Sequence, residues 1–423
     1  MLKREVVLLV ILVAFITVYA NLEVHREIVD LTVDRYQNIY LKGTAKWGLG
    51  AYQFVTMLKP DAKLSWTRRS SDIYLGKDEH GIVTMVQRQE NGLLLQQYNR
   101  EGKPSVSQAL SLPKAWTVAG VRGTPQQGFT ILSKQSDPAV PVGDTGRQRS
   151  RKLVRHLWYS LSEHDRAGTL QRRRAVGVIR LDTPAGKVSL SGQALDEAGH
   201  LYVLGHRVQR ERFELQFYPS NARDGFKRPL TIGSAAENWV AGNLALDSRG
   251  RIYLLGSSAN ASGNGAAVPA VLGIYQPADE RLEVRRFQIP GAQRIGRVAV
   301  SPADRLYISG VVPSPAPGTK RGVTGLILQS TPDGADRIQK LAIASSSWQG
   351  LFTVDGQECV YLAGGEGRGF FLAKYDPAQR RIWHKQYLNS SWLPNVPIAL
   401  LVLAIVFGPL LQGRERKTRA LGA

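Results

Sequence analysis

Apolar and polar residues alternate in short runs along this chain, and the runs recur as a unit. In one copy a polar turn, Asp247-Ser248-Arg249-Gly250, leads into Arg251-Ile252-Tyr253-Leu254-Leu255-Gly256. The same order recurs from Asp196 to Gly205 and from Asp34 to Gly43, and more loosely from Pro302 to Gly310 and from Asp355 to Gly364. Degenerate copies run from Asp78 to Val86 and from Pro125 to Leu132. Each is a turn followed by a strand of period two that ends near a small residue. A second run follows each first one, as in Leu272-Gly273-Ile274-Tyr275-Gln276-Pro277 and Phe371-Leu372-Ala373-Lys374-Tyr375-Asp376-Pro377, and continues through a turn into another strand. A further strand precedes each copy, for example Asn243-Leu244-Ala245-Leu246. The reading is four strands, A to D, in each of seven units. One such unit cannot bury both of its faces alone, so the units must pack side by side. The expected fold is therefore all-β: a seven-bladed β-propeller of four-stranded blades, over 24–388.

The first and last blades each contain all four of their strands in sequence order. No strand need be exchanged between the chain ends, and packing alone would close the ring. The two ends add something different. Lys3 and Arg4 precede an apolar run from Val6 to Ala20, and a second run from Val396 to Leu411 is followed by Arg414, Arg416, Lys417 and Arg419. Positive flanks of this kind stay in the cytoplasm. The expectation is an N-terminal membrane anchor or signal peptide over 1–20, a C-terminal transmembrane helix over 392–412 and a basic cytoplasmic tail over 413–423. The propeller would then lie on the extracytoplasmic side of a cell membrane. The N-terminal run is short for a span and Val18-Tyr19-Ala20 resembles a cleavage site, so both fates fit it; the uncleaved anchor is the reading taken here.

Charge and loop length sharpen the picture. The net charge is +21, of which the two ends hold +4 and the repeat region +17. A field of that sign favours the membrane, acidic partner membrane-protein subunits or an anionic envelope polymer, and a chain facing outward has no nucleic acid to meet. Long insertions fall between strands B and C at 135–150, 257–269 and 311–322. In an up-and-down blade the B–C loops and both chain ends open on one face, so the long loops should face the membrane. Arg147, Arg149, Arg151, Lys152 and Arg155 lead into strand C of the third blade, Arg172, Arg173 and Arg174 fall on its strand D, and Trp158 lies between; these are the candidate binding residues. The plainer reading of the same residues is a solvated loop.

Candidate chemistry is sparse. The chain has no nucleophile elbow, no His-Glu-x-x-His and no phosphate-binding loop, and the reading assigns it no cofactor, metal or catalytic residue. His200 and His206 share one face of a strand, but nothing nearby in sequence completes a site. Cys359 is the sole cysteine and sits in an apolar strand, which suggests a packing thiol. The aspartate of each repeat is periodic, and a periodic aspartate bonds the amides of its own turn.

The Asp-x-x-Gly-Asn-Ile-Tyr-Val-x-Gly units of NHL and SBBP-type propeller repeats resemble these copies. Asp34, Asn38, Ile39, Tyr40 and Gly43 match best, with Asp247, Gly250, Ile252, Tyr253 and Gly256. The resemblance implies a propeller that binds proteins, glycans or other polymers; a minority of such proteins are lyases or hydrolases. Two functions therefore compete: a membrane-anchored binding or assembly module, and an extracytoplasmic lyase or hydrolase acting on an anionic glycan in the central channel. A cluster of His, Tyr, Arg and acidic groups at the channel would favour the enzyme, and small and apolar walls the module.

Overall fold

The computed structural model describes residues 25–387 apart from short stretches, the longest being 142–152, 259–267 and 315–321. Both terminal apolar runs lie outside the described residues, and no described helix is long and apolar enough to cross a membrane. The described chain forms seven antiparallel blades in sequence order, each with four main strands running A–B–C–D, and one separate two-stranded ladder in the third blade's insertion. The first blade is His25–Val33, Ile39–Trp47, Gly50–Leu58 and Leu64–Ser70; the seventh is Phe352–Val354, Val360–Glu366, Gly369–Tyr375 and Arg381–Tyr387. Both are complete within their own segments, so the ring closes without strand exchange, as expected.

Strands B and C are the most buried, as in the fifth blade, because each blade is covered on both faces by its neighbours. Seven apolar clusters fill the seven spaces between adjacent blades. Strands D lie outermost and are more polar; in the fifth blade Arg281, Arg285, Arg286 and Gln288 are exposed. The seam between the first and seventh blades is filled like the others, by Ile28, Leu41, Phe54 and Leu58 on one side and Tyr361, Phe370 and Leu372 on the other. Polar links cross it as well. Tyr387 Oη donates to Ala62 O, Lys385 Nζ to Asp61 O at 2.7 Å and Lys374 Nζ to Gln37 Oε1 at 3.4 Å.

The insertions differ in detail from the sequence reading. Strand B of the sixth blade runs on to Ser314 and strand C starts at Gly322, with Val312 opposite Thr324 and Pro313 opposite Val323. Five residues of the predicted 311–322 loop, 311–314 and 322, thus extend the B–C hairpin, because extending a ladder satisfies backbone groups that a loop would leave to solvent. In the third blade Val140–Pro141 pairs with Leu153–Val154, so that insertion also contains a short ladder. The fourth blade departs most from the repeat. Its strand C, Arg212–Asn221, pairs with a two-residue strand, Gly225–Phe226, and with a short strand D, Leu230–Gly233.

Candidate functional site

Seven strands A line the central channel, and small residues let them approach. A Cβ on Gly76 of the second blade would stand 1.7 Å from Val121 O of the third. Gly350, at φ +86°, abuts Gly296 of the sixth blade so closely that a Cβ would lie 2.7 Å from its Cα. Five of the strands A carry a bulge that turns backbone groups out of the ladder. Side chains from other blades bond to groups at these bulges. Arg297 of the sixth blade reaches past the short strand A of the seventh to donate to Val29 O at 2.5 Å, and its guanidinium lies 3.8 Å from Asp30. Gln193 donates to Ala119 O. Asn243 exchanges two bonds with the backbone of Val298, at 3.0 and 2.8 Å, and Arg122 donates to Leu195 O at 2.7 Å. The inner wall is thus a ring of side-chain-to-backbone links.

Within this ring, on the side of the A–B turns, is a cavity of about 760 Å³. Strands A and A–B turns of the second to sixth blades line it, including Leu75, Ala119, Val121, Leu132, Leu246 and Val300. Asp196, Asp247, Asp304, Arg122 and Arg249 supply its polar margin. The aspartates there already have partners. Asp247 accepts from the amides of Arg249 and Arg251 at 3.0 and 2.8 Å, from Arg251 Nε at 2.6 Å and from Tyr253 Oη at 3.2 Å. Asp196 takes the His200 amide at 2.7 Å, the His200 ring at 2.8 Å and Tyr202 Oη at 2.9 Å. Asp34 and Asp355 bond their turns and Tyr40 and Tyr361 in the same way. The periodic aspartate is therefore structural, as the sequence suggested, and each also ties down the tyrosine six residues on. In the sixth blade Ser301 replaces it with longer bonds of 3.3 Å, and Tyr307 turns instead to Glu358 of the next blade. Asp304 accepts the amide and hydroxyl of Ser248 at 2.8 and 2.6 Å, which holds the fifth and sixth turns together and keeps its carboxyl below the usual range despite burial.

Beside the first and second strands A is a charged group that sequence reading missed. Lys42 stands opposite Asp30 in the ladder of the first blade, with its ammonium 4.5 Å from the centre of the Tyr74 ring. The corresponding strand-B positions hold Leu204, Leu255 and Ala363. Burial pulls the Lys42 ammonium down from the ordinary lysine range, partly offset by Asp30 and Asp72. Asp72 is hydrogen-bonded to Tyr74 and lies 3.9 Å from Arg88 Nε, yet burial pushes its carboxyl up. Laying the repeats over one another would have exposed this lysine as the one charged residue in a column that otherwise holds apolar residues and, in the sixth blade, Ser309. The group provides fixed charge and hydrogen-bonding capacity in the wall; the cavity itself mixes small and apolar residues with charged ones, Lys77, Arg122, Asp196, Asp247, Arg249 and Asp304.

Of the candidate binding residues, Trp158, Arg172, Arg173 and Arg174 are described; Arg147, Arg149, Arg151, Lys152 and Arg155 lie outside the described residues. Trp158 is 41% exposed and pairs with Val178. Arg172 and Arg173 are exposed, but they pair with Glu163 and Ser162, near the C–D turn. Four residues of strand separate Trp158 from Ser162, roughly 13 Å. Arg174 donates to Gly199 O at 2.8 Å in the next blade, a structural clamp. Spacing in sequence placed these arginines beside the insertion, whereas the antiparallel return of strand D carries them to the other end of the blade. The histidine pair separates too: His200 caps its turn, while burial pulls the His206 imidazole below its ordinary range. No cluster of three metal-type ligands occurs among the described residues.

No family model and no curated protein matches the chain. Among solved structures it is similar to a puromycin hydrolase, at 13% identity and a TM-score of 0.38, over 76% of this chain and 55% of that one. The chain thus spans about half the length of that relative. It is similar at 10% identity and a TM-score of 0.38 to the WD40 domain of SCAP from fission yeast, over 88% of this chain and 90% of that one. A polysaccharide lyase, Uly1, matches at 12% and 0.39, over 75% and 81%. Likenesses this distant speak to fold alone. The seven-bladed propeller rests on the strand pairing itself.

Proposed function

We propose that this protein is a membrane-anchored, extracytoplasmic propeller of the NHL/SBBP type, acting as a binding or assembly module with its long-loop face toward the membrane or partner subunits. One observation carries the reading. His25 pairs with Lys46 at the end of strand B, and Tyr387 pairs with Phe370 at the start of strand C, so both ends leave from adjacent blades on the B–C face. One apolar run with a basic flank ends at Ala20, five residues before the first exit, and the other begins at Val396, nine residues after the second. Paired anchors there would hold the chain ends at high effective concentration and reinforce the seam. The bonding of the channel aspartates to their own turns supports binding over acid–base chemistry.

Sidedness tests the proposal. A reporter fused after Ala423 should be cytoplasmic, and a Ser262→Cys variant should react with an impermeant maleimide on intact cells. The native Cys359 is buried, and burial pushes its thiol up, so it should remain silent in the same assay until the protein is unfolded. Labelling of Ser262→Cys only after lysis would reject the topology.

A further inference from the structure

The outermost strands carry much of the propeller's positive charge. Strand D of the third blade, Leu170–Arg180, exposes Arg172, Arg173 and Arg180. That of the fifth, Arg281–Gln288, exposes Arg281, Arg285 and Arg286. Leu64–Ser70 in the first blade exposes Arg68 and Arg69, and Arg381–Tyr387 in the seventh exposes Arg381. These four strands hold a single carboxylate, Glu283, and it is paired with Arg285 at 2.6 Å. Glu163 of strand C stands opposite Arg172. In the adjoining C–D turns, Asp61, Asp376 and Glu280 are each paired with a cation, Lys63, Arg380 and Lys227. The outer strands of the second and fourth blades, Pro104–Leu110 and Leu230–Gly233, hold no charged residue.

A surface that has only to stay soluble mixes both signs of charge. Here arginines stand side by side, at 68–69, 172–173 and 285–286, and charges of one sign repel. An anionic partner would remove that cost. Two of the guanidiniums lie over rings of their own blade: that of Arg68 is 5.9 Å from the centre of the Trp66 ring, and that of Arg69 is 5.3 Å from that of Tyr52. A guanidinium fork fits carboxylate and phosphate oxygens two at a time. The layout selects the partner's shape. Arg172 and Arg180 are eight residues apart on one extended strand, roughly 26 Å. A bilayer against the B–C face would reach Arg69, Arg180 and Arg286, near that end of their strands. It would miss Arg172, Arg173, Arg281 and Arg381, at the C–D end. A flexible chain can follow an outer strand from one end to the other and continue onto another blade.

We propose that this outer belt binds a linear acidic polymer of the cell envelope, laid along the strands D with its carboxylates or phosphates on the arginines. The proposal gives the binding module a second surface, distinct from its long-loop face, and a partner class. The choice of an envelope polymer rests on the extracytoplasmic reading, whereas the belt's affinity for a polyanion does not. Maleimide sidedness reads the topology and polymer binding reads the belt, so each can fail alone.

Matched polymers test it. Fluorescently labelled polygalacturonate and poly(glycerol phosphate) carry carboxylates and phosphates, and fully methyl-esterified polygalacturonate carries no charge. Each is titrated with the full-length protein in neutral detergent micelles and followed by anisotropy, with empty micelles as reference. At least one anionic polymer should bind and the esterified one should not; preference between the two assigns the acid as carboxylate or phosphate. Raising salt from about 50 to about 200 mM should weaken binding by about tenfold or more. Arg172→Gln with Arg173→Gln should weaken it about fivefold, and adding Arg281→Gln and Arg381→Gln about fivefold again, because the sites are far apart. Arg35→Gln with Arg305→Gln removes two exposed charges from the A–B turns and should change binding less than about twofold. Phosphatidylglycerol doped into the micelles at matched charge should not displace the polymer. Binding of neither anionic polymer, equal losses in the A–B turn variant, or displacement by the lipid overturns the proposal.

Discussion

Replacing Phe370 by alanine should lower the unfolding free energy by about 4 kcal/mol, in the range for deleting a buried aromatic ring. Phe370 is buried at the seam, stacked on Tyr387 with ring centres 4.7 Å apart, and belongs to the cluster joining the first and seventh blades. No hydrogen-bonded ladder crosses that seam, since each blade is complete in itself. Losing the ring should therefore loosen the propeller at this place first. Native-state hydrogen exchange of the full-length protein is the measurement: strands Ile28 to Val33 and Phe352 to Val354 should exchange faster, and the middle blades little. A uniform rise across all blades would mean that the seam is no weaker than the other interfaces.

Asp355→Ala should cost a similar amount, about 4 kcal/mol, because it strands several buried groups at once. Asp355 accepts the amides of Gln357 and Cys359 at 2.9 Å each and the Tyr361 hydroxyl at 2.9 Å. Its other neighbour is the buried ammonium of Lys374, 3.7 Å away, with side-chain exposures of 8% for the lysine and 4% for the aspartate. The alanine variant would leave Lys374 with only Gln37 and the Tyr361 ring. Ser301→Ala removes the matching cap of the sixth blade, whose bonds are longer and involve no charge, and should cost only about 1 kcal/mol. Denaturant unfolding of the two variants gives the contrast; equal losses would show that the aspartate's charge and its tyrosine contribute nothing beyond the turn.

The chain's own pattern determined the blade and its number. Period-two alternation, a turn with aspartate and glycine, and a tyrosine at fixed spacing specify local backbone geometry, and local geometry is what a sequence states directly. Asp34, Asp196, Asp247 and Asp355 bond the amides of their own turns, so that role was legible without a structure, whereas the pairing of Asp355 with Lys374 was not. The completeness of the first and seventh blades was legible for the same reason, and with it the unexchanged ring.

Other features depend on groups that are distant in sequence, and tertiary structure alone decided them. Arg297 bonds a carbonyl 268 residues away, and Lys42 meets Tyr74 only because the second blade packs on the first. Arg172 and Arg173 lie next to the 135–150 insertion in blade order but at the other end of the sheet, because an antiparallel strand reverses direction along the blade. Each of these depends on which groups the closed ring brings within a few ångströms, and alternation along a single strand carries no record of that distance.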